Sequence, residues 1–566
     1  MRIGFLLAAL PLPLAERTRF IANEGLEFPQ SCESGLLELN GIYEISARVK
    51  FEKSCTLRGS PGTSIELAQQ LLVLGDLTLE GHLQITASAE NDDTCLVVPT
   101  GILTIATDEL VISRCTSFGS ITAQNLHIRG HMQILDSYSA RDGGGIRVLE
   151  SVVQHTGILT FANCSSKRSG GAVHVQGSYE QLGGSASFVN CTSGDESDVE
   201  AASQDTKTDG GGGLSVGEMF RQQGGVMRFE ACRSIFNGGG LQVRVGKQPK
   251  LSVKLLQAGR MSFSACAAGR RGGGASVNGP VQLKGSMVFD ACKAGLGPGG
   301  GLHVSDFMEL SGSLTATSCS AGLEDGGGLH VAHGLRQTAG SMRFYNCSTV
   351  KKGGGIKVAR GGMKLTGGDR SFDNCSAGVS GGGLYVHYEG VQLIGSISFR
   401  SCSAKREGGA AFVQYGGFHQ SSEALQDSVS CLNCSAGSRS GALYVGGSAS
   451  FSSPVLLSQC RDSSSTPFAV AGPLELRYVH ISEKGEQHAC ITADAMNVSK
   501  ANCTSAGQCE FTSKQPNVSR LLCKQGRGRT DDVSQGSVIP AHSSRLSQSH
   551  PDLLIVLAFR KMSLSR

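Results

Sequence analysis

Side chains able to contact a ligand recur at one position of a repeated segment, between two apolar residues that follow a run of glycines. Because the apolar neighbours of this position are expected to point inward, the middle residue is expected to point outward. In chain order the middle residues are Arg147, His174, Ser215, Gln242, Ser276, His303, His330, Lys357, Tyr385, Phe412 and Tyr444. The last six combine aromatic rings, a lysine and two histidines, a set suited to stacking on sugar rings or gripping a protein. We predict that His303, His330, Lys357, Tyr385, Phe412 and Tyr444 form an exposed ligand-binding strip, with cross-strand aromatic packing as the alternative.

Metal and catalytic chemistry are less well supported by the same segments. His303 and His330, with His333 nearby, lack a carboxylate or thiolate that would complete a metal site, so no metal or cofactor is predicted. Hydrolases and lyases need paired carboxylates or a suitably placed base. Three aspartates, Asp142, Asp209 and Asp325, precede glycine runs, but the repeat places them in separate units. No catalytic residue is therefore predicted.

The segments that position these side chains belong to an internal repeat. A motif of three glycines, an apolar residue, a variable residue and valine returns about eleven times between residues 143 and 445, and six of the ten intervals are 27 residues. No apolar period of 3.6 accompanies it, and glycine triplets are incompatible with a helix, so short strands joined by tight turns are expected. A unit this short cannot bury its own apolar face, so the units must stack. We predict an all-β parallel β-helix of roughly 15 coils, on the order of 70 Å long.

A second motif of the repeat, of the type Phe-x-x-Cys, places one cysteine at the same position of successive coils. These cysteines are Cys164, Cys191, Cys232, Cys266, Cys292, Cys319, Cys347, Cys375, Cys402, Cys434 and Cys460. Stacked side chains lie about 4.8 Å apart, whereas a disulfide favours Cβ atoms about 3.8 Å apart. The sequence therefore favours a buried ladder of free thiols over disulfides between coils.

Five asparagines directly precede a ladder cysteine and form N-glycosylation sequons, namely Asn163, Asn190, Asn346, Asn374 and Asn433. Ala and Ser occupy the same place in other coils, which favours an inward corner with a hydrogen-bonded amide ladder. Asn497, Asn502 and Asn517 lie outside the regular array. We predict that these three carry the glycans.

The pairing of the two motifs, as in Phe344-Tyr345-Asn346-Cys347 followed by Gly353-Gly354-Gly355-Ile356, resembles the repeats of chlamydial polymorphic outer membrane proteins. Those repeats fall within the wider group of pectin-lyase-like right-handed β-helices. The resemblance spans roughly residues 140 to 460 and implies a right-handed parallel β-helix. Cys stands where that family has its final Asn, and the family's outer-membrane barrel has no counterpart in this sequence. Upstream, Gly41-Ile42-Tyr43-Glu44-Ile45 resembles the opening coils of pectin-lyase-like proteins.

The chain divides into five predicted regions. Residues 1–15 resemble a secretory signal, 16–142 an N-terminal cap with irregular coils, and 143–485 the regular repeats. Residues 486–525 are expected to form a small disulfide module built on four cysteines, Cys490, Cys503, Cys509 and Cys523. A polar tail, 526–566, is expected to be disordered. Two insertions, the acidic stretch 194–209 and the segment 246–259, lengthen two coils and are expected to form surface loops.

Composition limits the remaining choices. The 566 residues contain 78 Gly, 20 Cys and no Trp, and 51 basic residues nearly balance 47 acidic ones, so no nucleic-acid partner is expected. No run of the length needed for a transmembrane helix is present in the sequence. We expect an extracellular scaffold, secreted or at the cell surface, for adhesion to a glycan or protein ligand. A polysaccharide lyase or hydrolase, and a fragment of a membrane-anchored ectodomain, are the alternatives.

Overall fold

The computed structural model describes residues 26–88, 93–194, 210–244, 253–422, 424, 426–463, 466–482, 490–493, 495–504 and 510–513. Side chains are described as far as Arg477, and beyond it only for Val479 and Ile491. The predicted signal and polar tail lie outside these residues. All named elements in the described part of the chain are β-strands, and their pairing is parallel, as the repeat predicts.

Each regular coil contains three main strands. The first, which we call the glycine-led strand, follows the glycine triplet and spans Val173–Val175, Leu214–Val216, Leu241–Val243, Ala275–Val277, Leu302–Val304, Leu329–Val331, Ile356–Val358, Leu384–Val386, Ala411–Val413, Leu443–Val445 and Phe468–Val470. The second, the middle strand, spans Ser178–Gln181, Met219–Gln222, Leu255–Gln257, Val281–Leu283, Met308–Leu310, Leu335–Gln337, Met363–Leu365, Val391–Leu393, Phe418–Gln420 and Ala449–Phe451. In the first regular coil these two strands are continuous as Ile146–Gln154.

The third main strand carries the phenylalanine of the second motif in most coils, and Ala316, Cys431 or Leu457 at that position in the others. These phenylalanine strands are Ile158–Ala162, Ser185–Val189, Val226–Glu230, Arg260–Ser264, Ser286–Asp290, Ser313–Thr317, Ser341–Tyr345, Asp369–Asp373, Ile397–Arg400, Val429–Leu432 and Val455–Ser458. A fourth strand of two residues, the corner strand, was not expected from the sequence. The corner strands are Tyr138–Ser139, Ser165–Ser166, Thr192–Ser193, Arg233–Ser234, Ala267–Ala268, Lys293–Ala294, Ser320–Ala321, Ser348–Thr349, Ser376–Ala377, Ser403–Ala404 and Ser435–Ala436, and they form a separate 11-stranded sheet.

Irregular coils flank the regular array at both ends. On the N-terminal side the strands are Leu26–Glu27, Leu36–Leu39, Ile42–Ile45, Val49–Phe51, Cys55–Gly59, Ser64–Leu67, Leu71–Val73, Leu77–Ala87, Leu96–Ser113, Ile121–Ile128 and Met132–Leu135. On the C-terminal side they are Pro473–Ser482, Cys490–Ala493, Ala495–Thr504 and Glu510–Ser513. Cys490–Ala493 pairs in parallel with both Phe468–Val470 and Glu510–Ser513. Parallel pairing therefore continues across the predicted boundary at residue 486.

Successive coils pair in register, so equivalent residues stack. Leu302–Val304 pairs with Ala275–Val277 on one side and with Leu329–Val331 on the other. Phe161, Phe188, Phe229, Phe263 and Phe289 form one file, with neighbouring ring centroids 4.7 to 5.1 Å apart. Backbone hydrogen bonds and ring stacking are thus both satisfied between coils, which is why the unit must be repeated.

The glycine triplets allow this close stacking. Gly299 has a φ of +76°, which favours glycine, and a Cβ atom at Gly300 would overlap the carbonyl oxygen of Gly327 in the next coil. Each triplet therefore turns the chain tightly into the glycine-led strand. The same turn runs beside the outward side chain of the glycine-led strand and covers part of it.

Candidate ligand-binding surface

The structure brings the predicted ligand-binding residues together in one file on the outer face. His303 pairs with His330, His330 with Lys357, Lys357 with Tyr385, Tyr385 with Phe412, and Phe412 with Tyr444. Leu384 and Val386, on either side of Tyr385, belong to the continuous apolar core, whereas Tyr385 does not. The alternation of inward and outward residues is therefore as predicted.

The expectation that this strip is exposed was wrong. Tyr385 is 0% exposed, Phe412 6%, His303 3% and His330 8%. Lys357 and Tyr444 are half-buried. Tyr385 stacks on Phe412 with ring centroids 5.4 Å apart, and Phe412 stacks on Tyr444 at 4.7 Å. Cross-strand aromatic packing, the alternative interpretation of this strip, therefore accounts for most of the surface of these rings.

The turns that flank each glycine-led strand cover the file. A Cβ atom at Gly381 would lie 3.0 Å from the Cβ of Tyr385, so the turn before the strand runs directly beside that ring. Lys352, from the preceding coil, donates a hydrogen bond of 3.0 Å from Nζ to the Tyr385 hydroxyl. The Tyr385 hydroxyl in turn donates to Gln414 Oε1. Tyr385 is thus buried under polar side chains rather than under the apolar core.

Charged groups lie in the same turn that covers Tyr385. Lys357 forms an ion pair with Asp325, whose other carboxylate oxygen accepts the backbone N–H of Lys352 at 2.9 Å. Burial raises the pKa of Tyr385, so its hydroxyl stays protonated at neutral pH, and burial lowers the pKa of Lys352. Lys352 also lies 4.8 Å from the centre of the Tyr385 ring. This network holds the covering turn against the aromatic file.

An exposed aromatic pair that sequence reasoning missed lies beside this file. Tyr388 and Tyr415 are 42% and 53% exposed, and their ring centroids are 5.4 Å apart at an interplanar angle of 21°. The His387 ring lies 4.0 Å from that of Tyr388 and 5.5 Å from that of Tyr415. We call Tyr388, Tyr415 and His387 the tyrosine shelf. Its signal in the sequence is a tyrosine two residues after the strand valine in two successive coils.

The aspartates considered for catalysis act on the backbone. Asp142 Oδ1 accepts the backbone N–H of Ser169 in the next coil at 3.2 Å. Asp325 Oδ1 likewise accepts the backbone N–H of Lys352 in its own next coil. The two residues remain in separate coils, and Asp209 lies outside the described residues. Within the described part of the chain, no group of three or more His, Cys, Asp or Glu side chains is arranged to hold a metal ion.

The cysteine ladder lies inside the coils, as predicted. All eleven ladder cysteines are buried and unbridged, and so is Cys431, which occupies a phenylalanine position opposite Phe399. The Cys191 thiol donates to the carbonyl oxygen of Val189 at 3.4 Å and also contacts that of Phe161 at 3.7 Å. Burial raises the pKa of the Cys232 thiol, which disfavours the reactive thiolate.

The corner that carries the asparagines faces solvent, contrary to the expected inward corner. Asn163 and Asn190 are exposed, yet their amides still form a ladder, with Asn190 Nδ2 donating to Asn163 Oδ1 at 3.0 Å. Asn374 donates to Asn346 in the same way at 3.1 Å. An outward ladder arises because these residues have left-handed backbone conformations, with φ between 52° and 54°.

Two disulfides join neighbouring N-terminal coils, Cys32 to Cys55 and Cys95 to Cys115. These two disulfides were not predicted; their signal in the sequence is a separation of 23 and 20 residues, close to one coil. Cys490 and Cys503 lie on described strands, but their side chains are outside the description, as are Cys509 and Cys523 altogether. The side chains of Asn497 and Asn502 and the whole of Asn517 likewise lie outside the described residues.

Neither a protein-family model, a curated protein nor a solved structure matches the chain. Within the described residues, no helix is long and apolar enough to cross a membrane. The fold defines the chain as a parallel β-solenoid.

Proposed function

We propose that the chain is an extracellular β-helix scaffold, secreted or at a cell surface, that binds a glycan through the tyrosine shelf. The observation that carries the proposal is the exposed, stacked pair Tyr388 and Tyr415. Two aromatic faces held at a fixed spacing on successive coils suit the apolar faces of consecutive sugar rings. The His387 ring packs against both tyrosines and restricts their motion, so little conformational entropy is lost on binding.

Two further observations support an extracellular setting. Disulfides such as Cys32–Cys55 form and persist mainly in oxidising compartments. The N-terminal sequence before Glu16 has the features of a secretory signal. The resemblance of the repeats to chlamydial polymorphic outer membrane proteins also favours an adhesive surface protein, either free or as the ectodomain of a longer anchored chain.

A glycan array probed with the full chain tests the proposal. The double variant Tyr388→Ser with Tyr415→Ser is expected to bind its glycan at least about tenfold more weakly, because it loses both stacking faces. Tyr345→Ser is the matched control, since Tyr345 is 55% exposed on a phenylalanine strand. Unchanged binding by the double variant, or no glycan binding by the parent chain, would reject the shelf as the site.

A polysaccharide lyase or hydrolase is the second candidate, favoured by the cluster of Asp325, Lys352, Lys357 and Tyr385. Acid and base groups are gathered there beside an aromatic file, within one segment of the outer face. Incubation with pectin and alginate, followed by measurement of unsaturated and reducing ends, distinguishes the two functions. Release of such ends that is lost in Lys352→Met would favour the enzyme.

A further inference from the structure

A long groove runs across the corner strands, on a different part of the coil surface from the tyrosine shelf. It has a volume of about 1130 Å³ and extends from Tyr138 to Leu296, over six successive corner strands. Its lining includes four basic side chains, Lys167, Arg233, Arg270 and Lys293, and no Asp or Glu. Among the described residues, the lining of this groove is therefore cationic.

The strip arises where the repeat departs from its usual corner residue. The first residue of the corner strand is Ser or Thr in most coils, but it is Arg233 in one coil and Lys293 two coils later. Both side chains are exposed, and neither forms an ion pair with a described residue. Two coil rises separate them by roughly 9.6 Å along the axis. A linear ligand with regularly repeated charges matches such spacing.

Hydroxyl-bearing residues on the corner strands of the groove point to the same class of ligand. Ser166 and Ser193 line the groove and are 3% and 1% exposed. Neither hydroxyl has a hydrogen-bond partner. Ser165 and Thr192, the outward residues of the same two corner strands, are half-buried and add hydroxyls that a ligand can reach. Cations beside the partly exposed hydroxyls of Ser165 and Thr192 suit an anionic group that also carries hydrogen-bonding substituents.

We propose that this groove binds a linear sulfated polysaccharide lying along the axis of the solenoid. Sulfate groups pair with Arg233 and Lys293, and ring hydroxyls further along the polysaccharide face Ser165 and Thr192 on the two preceding corner strands. An anionic polysaccharide is favoured over nucleic acid because no aromatic side chain on which bases stack lines the groove except Tyr138 at its end. The site is independent of the tyrosine shelf.

Binding of dextran sulfate to the full chain, with uncharged dextran and single-stranded oligo(dT) as comparison polymers, tests the proposal. The double variant Arg233→Ser with Lys293→Ser restores the usual corner residue, so the fold is expected to persist. Dextran sulfate binding is expected to weaken at least about tenfold and to become less sensitive to salt, because two charge contacts are lost. The variant Arg228→Ser with Lys284→Ser removes the same charge from exposed positions beside the same coils and is expected to change binding less than about twofold.

Four outcomes would overturn the proposal. Absence of binding would do so, as would equal weakening in the charge-matched control, which would indicate a general charge effect. Oligo(dT) binding as tight as that of dextran sulfate, lost in the same variant, would indicate a nucleic-acid site. Binding that appears only after deletion of the acidic residues 195–209 would indicate that this segment of the chain is the ligand of the groove.

Discussion

The residue before each ladder cysteine has a left-handed backbone conformation, whatever its side chain. Asn163 and Asn190 occupy this position in two coils, and Ala231 and Ala265 occupy it in the next two, all with φ between 52° and 54°. Asparagine tolerates this region far better than alanine, because its short amide can hydrogen-bond locally. The recurrence of Asn here follows from backbone geometry, independently of any glycan.

We expect Ala231→Asn to stabilise the chain. Asparagine is less strained than alanine in the left-handed conformation of this position, and its amide extends the ladder from Asn190. The free energy of unfolding is therefore expected to rise by about 1 kcal/mol. Urea denaturation provides the measurement. Glu230→Asn, at an exposed strand position next to it, is the control and is expected to give no gain. Equal effects of the two changes would show that the ladder and the φ angle contribute nothing.

At the scale of the element, files of identical side chains on successive strands determine how the outer face behaves. His303 and His330 stack with ring centroids 5.2 Å apart, and the Nδ1 atom of each has no hydrogen-bond partner. Burial, together with a smaller contribution from the charge of Arg271, lowers the pKa of His303 to about 3. The pKa of His330 is also lowered, mainly by burial and further by the neighbouring His303 and Lys357. The pair is therefore neutral in the folded chain.

This arrangement predicts a loss of stability in mild acid. Below pH 6.5 the unfolded chain binds a proton at His303 that the folded chain does not, so stability is complete above pH 6.5 and falls progressively towards pH 3. At pH 5 the loss from His303 is about 2 kcal/mol. In His303→Phe, which keeps a stacking ring, the difference in unfolding free energy between pH 7 and pH 5 is expected to shrink by that amount. His333→Phe, at an exposed position, is the control; an unaltered pH dependence in His303→Phe would contradict a buried neutral histidine.

At the scale of the whole molecule, the cysteines divide into two groups along the axis. The N-terminal coils are joined by the disulfides Cys32–Cys55 and Cys95–Cys115, whereas the regular coils contain a continuous file of buried thiols. Each ladder thiol donates to a backbone carbonyl, as Cys402 does to Arg400 at 3.4 Å. Stacking without covalent bonds is then sufficient to hold the regular coils together.

Thiol titration tests this division. In denaturant without reductant, the twelve described free cysteines are expected to react, whereas in the native chain they are expected to be protected by burial. Fewer than four reactive thiols in denaturant would show that the ladder is oxidised. Added reductant is the control, because it should raise the denatured count by the four cysteines of the two N-terminal disulfides at least.

The sequence by itself determined the architecture and the files of residues. A 27-residue period with glycine triplets permits only units that pair with their neighbours, and in-register pairing then places Phe on Phe and Cys on Cys. Which side chains share a file, such as Tyr385, Phe412 and Tyr444, follows from the period alone. The fourth, two-residue strand was not evident, because a segment that short has no detectable alternation.

Only the tertiary structure decided which outward residues meet solvent. Period-two alternation gives the direction of a side chain but contains no information on whether a turn folds over it. The turns around Lys352 and Gln414 cover Tyr385, and the exposed rings are Tyr388 and Tyr415 in the turn that follows. The groove over the corner strands likewise depends on how six successive corners align in space, because its lining comes from residues one coil apart from each other between Tyr138 and Leu296.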